Sequence, residues 1–379
     1  MSSKKRKVRV EFQKNRVKRS RRNDLTREHQ DGEHHPDEAA AGERMSGKGD
    51  LTRRRTIIVD EDAQRQRQQL VESEGCHFGR VLTAIGLASI VESDEGERFE
   101  CSVRRVVRTV SRDARNAVVT GDRVLIRPNG HRAESGIPQA VVEWVQPRHG
   151  VVSRAHHNRE HILAANVDQA LIVASAGEPP LKPSLIDRFL VSCEKGSVTP
   201  LICINKVDLV RAEALEPIVL RYGQLGYQTF LTSAIEARGI GQLAERLRNR
   251  TTVLTGQSGV GKSSLLNAID ADLDLKTGGV SNWSMKGKHT TRRAEMLPLS
   301  GGGFVIDTPG IRQFQIWEVE PSEVEGLFVE FIRYVPQCRF ANCTHTHEEG
   351  CAVKRAVELG MISTERYESY RRIFEGIEE

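Results

Sequence analysis

The stretch Gly256-Gln257-Ser258-Gly259-Val260-Gly261-Lys262-Ser263 reads G-x-x-x-x-G-K-S, and it constrains everything around it. A β-branched run from Thr251 to Leu254 leads in. Ser264, Leu265, Leu266, Asn267, Ala268 and Ile269 lead out with a helical pattern. Strand, glycine-rich turn and helix in that order make a phosphate-binding loop. The glycines let backbone N–H groups point inward at phosphate oxygens, and the helix N-terminus adds partial positive charge. Lys262 would reach the β- and γ-phosphates, Ser263 would ligate Mg²⁺, and the backbone from Gly256 to Ser264 would wrap the phosphates. An ordinary Gly/Ser turn has no reason to match all eight positions.

Such a loop needs a parallel sheet behind it, and the flanking pattern supplies one. Ala170-Leu-Ile-Val-Ala174 reads as a buried strand. Ser184 to Glu194 follows as an amphipathic helix with Ile186, Phe189, Leu190 and Cys193 inward. Leu201–Ile204, Gln228–Leu231 and Phe304–Ile306 read as further strands, Gly241 to Arg248 as a helix, and Lys276 to His289 as a long loop. Alternating strands and helices predict a doubly wound α/β domain.

The strand Leu201–Ile204 runs into Asn205-Lys206-Val207-Asp208, the N-K-x-D pattern of guanine-specific sites. A carboxylate at Asp208 can accept from both guanine N1–H and the exocyclic amine. Adenine lacks those donors, so an ATP site is disfavoured. Asn205 would tie this loop to the phosphate loop, and the Lys206 stem would lie over the base. Thr232-Ser233-Ala234 matches the T-S-A segment whose backbone faces guanine O6. Asp307-Thr308-Pro309-Gly310 is D-x-x-G: Asp307 would hold Mg²⁺ through water, and the Gly310 N–H would sense the γ-phosphate. Thr290 and Thr291 offer a switch threonine for Mg²⁺, and Thr291 is preferred.

The order of these motifs is unusual. GTPases run from phosphate loop through switch threonine and D-x-x-G to N-K-x-D and T-S-A, whereas here N-K-x-D and T-S-A come first. The parts are complete and the chain is circularly permuted, which a sheet tolerates when the old termini are close and the new break falls in a surface loop. D-x-x-G then leads directly into the C-terminal region. Ile311 occupies the place of the glutamine that orients water in Ras-type enzymes. His289, beside the switch threonines, is the candidate to replace it. The competing reading of His289 is a surface histidine, and a chain with Ile311 there could instead bind GTP as a scaffold without turnover.

Cys338, Cys343, His345 and Cys351 lie within fourteen residues. Three thiolates and one imidazole suit a tetrahedral, structural Zn²⁺, one per chain, with His345 preferred over His347. Helices are expected from Ala352 to Leu359 and from Thr364 to about Ile377, the second capped by Ser363. Seven cysteines, unevenly spread, argue for a metal site rather than a disulfide framework.

Upstream, residues 79 to about 146 alternate and turn as a small β-barrel would, with Phe99, Cys101 and Val103 on one face. Its Arg104, Arg105 and Arg108 read equally as a nucleic-acid face or as a solvated strand side. Residues 147–166, rich in His and Arg, read as a linker. The formal net charge of +5 is concentrated: residues 1–22 hold eleven Lys or Arg against Glu11 alone. That run reads as a polyanion-binding arm at the start of a disordered or loosely helical extension over 1–76. No stretch approaches the ~18–20 apolar residues of a membrane span, and the N-terminus lacks a secretory apolar core. A cytoplasmic monomer with no membrane partner is expected.

Together these motifs resemble one family, the circularly permuted RsgA GTPases. The resemblance rests on the barrel, the permuted order, Gly287-Lys288-His289-Thr290-Thr291, Asp307–Gly310 and the Cys-Cys-His-Cys cluster, and it covers roughly residues 77–375. It implies an OB-fold at 77–150, a permuted GTPase domain at 151–318 and a helical zinc-binding domain at 319–379. It further implies GTP and GDP as ligands with Mg²⁺, catalysis by Lys262, Thr291 and His289, and the small ribosomal subunit with its rRNA as partner. Binding to the subunit in the GTP state and release after subunit-stimulated hydrolysis follow from the same resemblance. The long basic and polar N-terminus departs from the family pattern.

Overall fold

The computed structural model describes residues 6–11, 54–59, 75–85, 88–103, 117–155, 160–275, 294–307 and 321–377. The chain divides into two compact units, Met1–Glu74 and Gly75–Glu379. In the first, strand β1 (Arg6–Glu11) pairs antiparallel with β2 (Arg54–Val59), Arg6 opposite Val59. The sequence reading of 1–76 is a disordered or loosely helical extension; within it, the described residues before Gly75 are this strand pair. Val8, Val10, Ile57, Ile58 and Val59 are β-branched, and such residues favour extended backbone even inside a basic run.

The second unit begins with β3 (His77–Ile85), β4 (Ala88–Ser93), β5 (Arg98–Val103), β6 (Arg123–Arg132) and β7 (Pro138–Val145). They pair in the order β3-β4-β5-β7-β6, and β6 returns to β3, closing a five-stranded barrel. Phe99, Cys101 and Val103 point into it with Val81, Val91, Val124, Ile126 and Val142. Next come β8 (Val152–Ala155) and β9 (Glu160–Ala164), an antiparallel pair. They lie inside the stretch read as a linker. Val152 and Ala164 at the two outer ends are buried, and these small anchors were hidden by the charged residues between them.

A doubly wound sheet follows. Its elements are β10 (Gln169–Ser175), α1 (Pro183–Gly196), β11 (Thr199–Asn205), α2 (Glu216–Gln224), β12 (Gln228–Leu231), α3 (Ile240–Leu247), β13 (Thr251–Thr255), α4 (Lys262–Ile269), β14 (Glu295–Pro298) and β15 (Phe304–Asp307). Strands β12-β11-β10-β13-β15 are parallel, and β14 adds antiparallel to β15. Successive strand residues face opposite sides. Ile172, Ile202, Ile204 and Val253 meet Ile186, Phe189 and Leu190 of α1 and Ile218 and Tyr222 of α2. Leu171, Val173, Leu201, Cys203 and Leu254 meet Leu243 and Leu247 of α3 and Leu265 and Leu266 of α4. Glu295 of β14 also pairs with Thr83 of β3, so barrel and α/β sheet are one hydrogen-bonded surface.

The C-terminal part holds α5 (Pro321–Val324), α6 (Ala352–Glu358) and α7 (Thr364–Phe374). Ser363 caps α7, its hydroxyl accepting from the Arg366 N–H at 3.3 Å. Phe328, Phe331, Val353, Ile362 and Tyr370 form its core, and Val191 of α1 completes that core. Beside it lies a buried charge network. Arg366 donates to Asp187 of α1 at 2.8 Å and to Glu330 at 2.6 and 2.9 Å. Tyr222 of α2 donates to the same Asp187 carboxylate at 2.8 Å. Burial alone would lower the Arg366 pKa, but hydrogen bonds to Glu330 and the charge of Asp187 raise it, so the guanidinium stays charged.

Candidate nucleotide site and metal centre

The ends of β11, β12 and β13 meet at one edge, and Asn205 joins them. It is 1% exposed. Its amide donates to the Val260 carbonyl at 3.0 Å, and its Oδ1 accepts from Thr232 Oγ1 at 3.2 Å. One side chain therefore ties the N-K-x-D loop, the T-S-A loop and the phosphate loop together. Lys206 turns the chain with φ +63°, and its ammonium donates to the carbonyls of Gly259 and Glu178, each at 2.6 Å. The Val207 N–H donates to the Thr232 carbonyl at 3.1 Å. Ser233 is fully buried, and its hydroxyl accepts from the Glu236 N–H at 3.2 Å, folding the loop that contains Ala234.

Asp208 carries the chemical test for a base. Its Oδ1 is buried and has no hydrogen-bond partner among the described residues. A buried carboxylate oxygen without a donor is costly. The N–H edge of guanine is the kind of group that would satisfy it.

The phosphate loop closes on the same point. Gly256 has φ +135°, and a side chain there would run into the Val173 carbonyl of β10. A Cβ on Gly261 would lie 2.6 Å from the Asn205 amide nitrogen. Both motif glycines are thus demanded by neighbours as well as by phosphate. Lys262 opens α4, and its ammonium donates to the carbonyls of Gly256 and Gln257 at 2.8 and 2.7 Å. Val260 is buried, Ser258 and Gly259 are exposed, and Gln257, Ser263 and Ser264 are partly buried. Asp307 ends β15, whose Ile306 pairs with Val253 of the phosphate-loop strand. It therefore leaves the sheet on the same side as Gly256. His289, Thr291 and Gly310 lie outside the described residues.

A second centre forms in the C-terminal part. The ligand atoms of Cys338, Cys343, His345 and Cys351 all lie within 4.8 Å of one another. His345 is fully buried with φ +56°. Its Nδ1 is 3.5 Å from Cys338 Sγ and 3.4 Å from Cys351 Sγ, while Nε2 meets Glu325 Oε2 at 2.8 Å. A carboxylate behind a histidine fixes its tautomer and leaves the other nitrogen free to ligate. Burial pushes the Cys343 thiol up to about 12 and raises Cys351. Those sulfurs would ionise at neutral pH only beside a cation, which is what this donor set fits. The loop itself is held by Glu348, which accepts from the Thr344 N–H at 2.7 Å and the Thr344 hydroxyl at 2.6 Å.

Sequence reasoning missed Glu325, which stands 20 residues before His345 with no spacing to announce it. It also missed Glu178, because that residue acts through its backbone carbonyl, and no motif marks a carbonyl.

A phosphate loop on β13 and a guanine-type loop on β11, with the second earlier in the chain, define a circularly permuted P-loop GTPase. Comparisons narrow the class. The sequence model of the RsgA GTPase family matches residues 145–317. The small ribosomal subunit biogenesis GTPase RsgA of Chlorobaculum parvum is 39% identical over 309 residues, covering 79% of this chain and 98% of that protein. That of Pectobacterium carotovorum is 39% identical over 306 residues, covering 79% and 84%. The crystal structure of YjeQ from Thermotoga maritima is 35% identical with a TM-score of 0.63, covering 80% of this chain and 98% of that one. YloQ, described as a circularly permuted GTPase, is 26% identical with a TM-score of 0.62, covering 81% and 96%. The chain belongs to the RsgA GTPase family. Among the described residues no helix is long and apolar enough to cross a membrane.

Proposed function

We propose that this protein hydrolyses GTP in the maturation of the small ribosomal subunit, binding the subunit and its rRNA in the GTP state and leaving after stimulated hydrolysis. The observation that carries the reading is the Asn205 junction with the orphan Asp208 oxygen beside it. The names of the relatives supply the ribosomal context. In this reading Asp208 accepts from guanine N1–H and the amine, and the backbone of Ser233 and Ala234 faces O6. Lys206 covers the base. The backbone of residues 256–264 cradles the phosphates, and Lys262 reaches between the β- and γ-groups. Ser263, Thr291 and, through water, Asp307 hold Mg²⁺, and the Gly310 N–H meets the γ-phosphate. When bound, Mg²⁺ would supply charge neutralisation for the phosphates. His289 orients the attacking water in place of the glutamine that Ile311 replaces.

The cysteine–histidine cluster is assigned to one structural Zn²⁺, held by Cys338, Cys343, His345 and Cys351, because protein fills all four positions. We assign residues 77–150 to an OB-fold, 151–318 to the permuted GTPase domain and 319–379 to the zinc domain. Residues 1–76 precede these as a basic extension. The protein is taken to act as a cytoplasmic monomer.

The decisive experiment measures GTP hydrolysis with and without purified small subunits, for wild type and His289→Ala. Stimulation lost in the variant supports both the function and the histidine's role. Stimulation kept in the variant removes His289 from the mechanism. Tight GTP binding with no stimulation at all would replace the enzyme by an RNA-binding scaffold, the alternative that Ile311 favours.

A further inference from the structure

Strand β14 has two neighbours, and they belong to different machines. On one side Glu295 pairs with Asp307, the end of β15. On the other the same Glu295 pairs with Thr83 of the barrel. The residue just before it, Ala294, is held by a side chain: the Thr120 hydroxyl donates to its carbonyl at 3.0 Å. Thr120 is 2% exposed and comes from the barrel loop between β5 and β6.

The described part of that loop, residues 117–122, is held in place by several bonds. The Val119 N–H donates to Asp122 Oδ2 at 2.8 Å, and Arg148 grips both Asp122 oxygens at 2.7 Å. The Gly121 N–H donates to the Val81 carbonyl at 2.8 Å, and the Thr120 carbonyl accepts from the Ala165 N–H at 2.9 Å. Farther along, Arg80 donates to Thr251 Oγ1 at 2.8 Å and lies 4.7 Å from the centre of the Phe304 ring, so the barrel also holds the first residues of β13 and β15. The hydroxyl of Thr120 thus projects from a rigid base onto a strand of only four residues, whose other edge carries Asp307.

We infer that Thr120 is a positioning residue for the γ-phosphate end of the nucleotide site, acting from the barrel through β14 on Asp307. The inference rests on the GTPase reading, in which Asp307 serves the metal bound to the γ-phosphate. If the hydroxyl is lost, β14 keeps its rungs to Thr83 and to β15, but its lead-in at Ala294 loses the barrel's bond. Glu295, the residue paired with Asp307, is then held less firmly from the barrel side. Small displacements at such a position matter, because a misplacement of ~1 Å can cost ~100-fold in rate.

The test compares Thr120→Val, which keeps the shape and removes the donor, with Thr120→Ser, which keeps the donor. The readout is the preference for a non-hydrolysable GTP analogue over GDP in Mg²⁺, together with the affinity for GDP in EDTA. The valine variant should lose ~3- to 10-fold of the analogue preference, in keeping with one lost hydrogen bond, with GDP binding in EDTA unchanged and serine close to wild type. An unchanged preference in Thr120→Val overturns the inference. So does an equal loss for both nucleotides, which would mark a merely structural role. Turnover of GTP by the wild type is measured separately. Its absence, with the preference effect intact, would sink the hydrolysis reading and leave the role of Thr120 standing. A wild type that binds neither nucleotide overturns both.

Discussion

At the scale of single residues, the proposed reading rests base selectivity on one oxygen. Asp208 Oδ1 is buried without a partner among the described residues, so a base that offers two N–H donors is rewarded and one that offers none is not. Asp208→Asn should weaken GTP binding by ~100- to 1,000-fold, since an amide cannot accept from both guanine donors. Xanthosine triphosphate, whose O2 accepts where the guanine amine donates, should recover part of that loss; competition against a fluorescent guanine nucleotide reads both effects. Arg366 is a different case. It is 1% exposed and faces two carboxylates. Arg366→Met leaves Asp187 and Glu330 without their cation and should destabilise the fold by about 3–5 kcal/mol, read as a shifted urea midpoint. The motif residues at 205–208 and 256–263 were legible because their chemistry demands fixed types at fixed spacing. Arg366 was not: its partners lie 179 and 36 residues away, and only the fold brings them together.

Elements differ in how openly they announce themselves. The parallel strands of the α/β sheet stand out in the sequence, whereas the four-residue β14 does not, and β5 alternates visibly along Arg98–Val103, with Phe99, Cys101 and Val103 buried. β8 and β9 hide, because His and Arg fill the stretch between their outer ends, Val152 and Ala164. The knuckle around His345 was legible as a ligand set, but its support was not. Removing the proposed Zn²⁺ with a strong chelator, or making Cys343→Ser, should unfold the C-terminal helices, with one Zn²⁺ per chain released or lost. Loss of helical circular dichroism alongside metal analysis checks this. Glu348 adds a dependence on pH. Burial would raise its pKa, but the hydrogen bonds from Thr344 outweigh burial and hold it at about 2, against 4.5 for the free carboxyl. A depressed folded pKa stabilises above the unfolded value. That contribution is full above pH 4.5 and is lost as pH falls toward 2. Glu348→Gln should flatten the stability profile in that window, measured as melting temperature against pH.

Across the whole molecule, one sheet of eleven strands links the barrel to the nucleotide site. The permuted order is legible from motif order alone, whereas the joining of β3 to β14 is not, since a single rung between Thr83 and Glu295 leaves no pattern in either segment. The basic extension belongs to this scale too. Deleting residues 1–50 should leave basal GTP hydrolysis unchanged and make subunit binding less steeply dependent on salt, because each lost phosphate contact lowers the slope by about 0.7–0.9. An unchanged slope would mean that the extension does not touch RNA.

The same union of barrel and sheet has a bearing on self-association. An open sheet ends in strands whose unpaired amides invite another chain to add on. Here the β14 side is closed off by the barrel, and the barrel itself has no rim strand left over. Among the described residues the sheet keeps one free border, β12, which is only four residues long and shows Leu231 at 36% exposure. A partner that adds a strand to this sheet therefore has one short border to use, on the side away from the barrel.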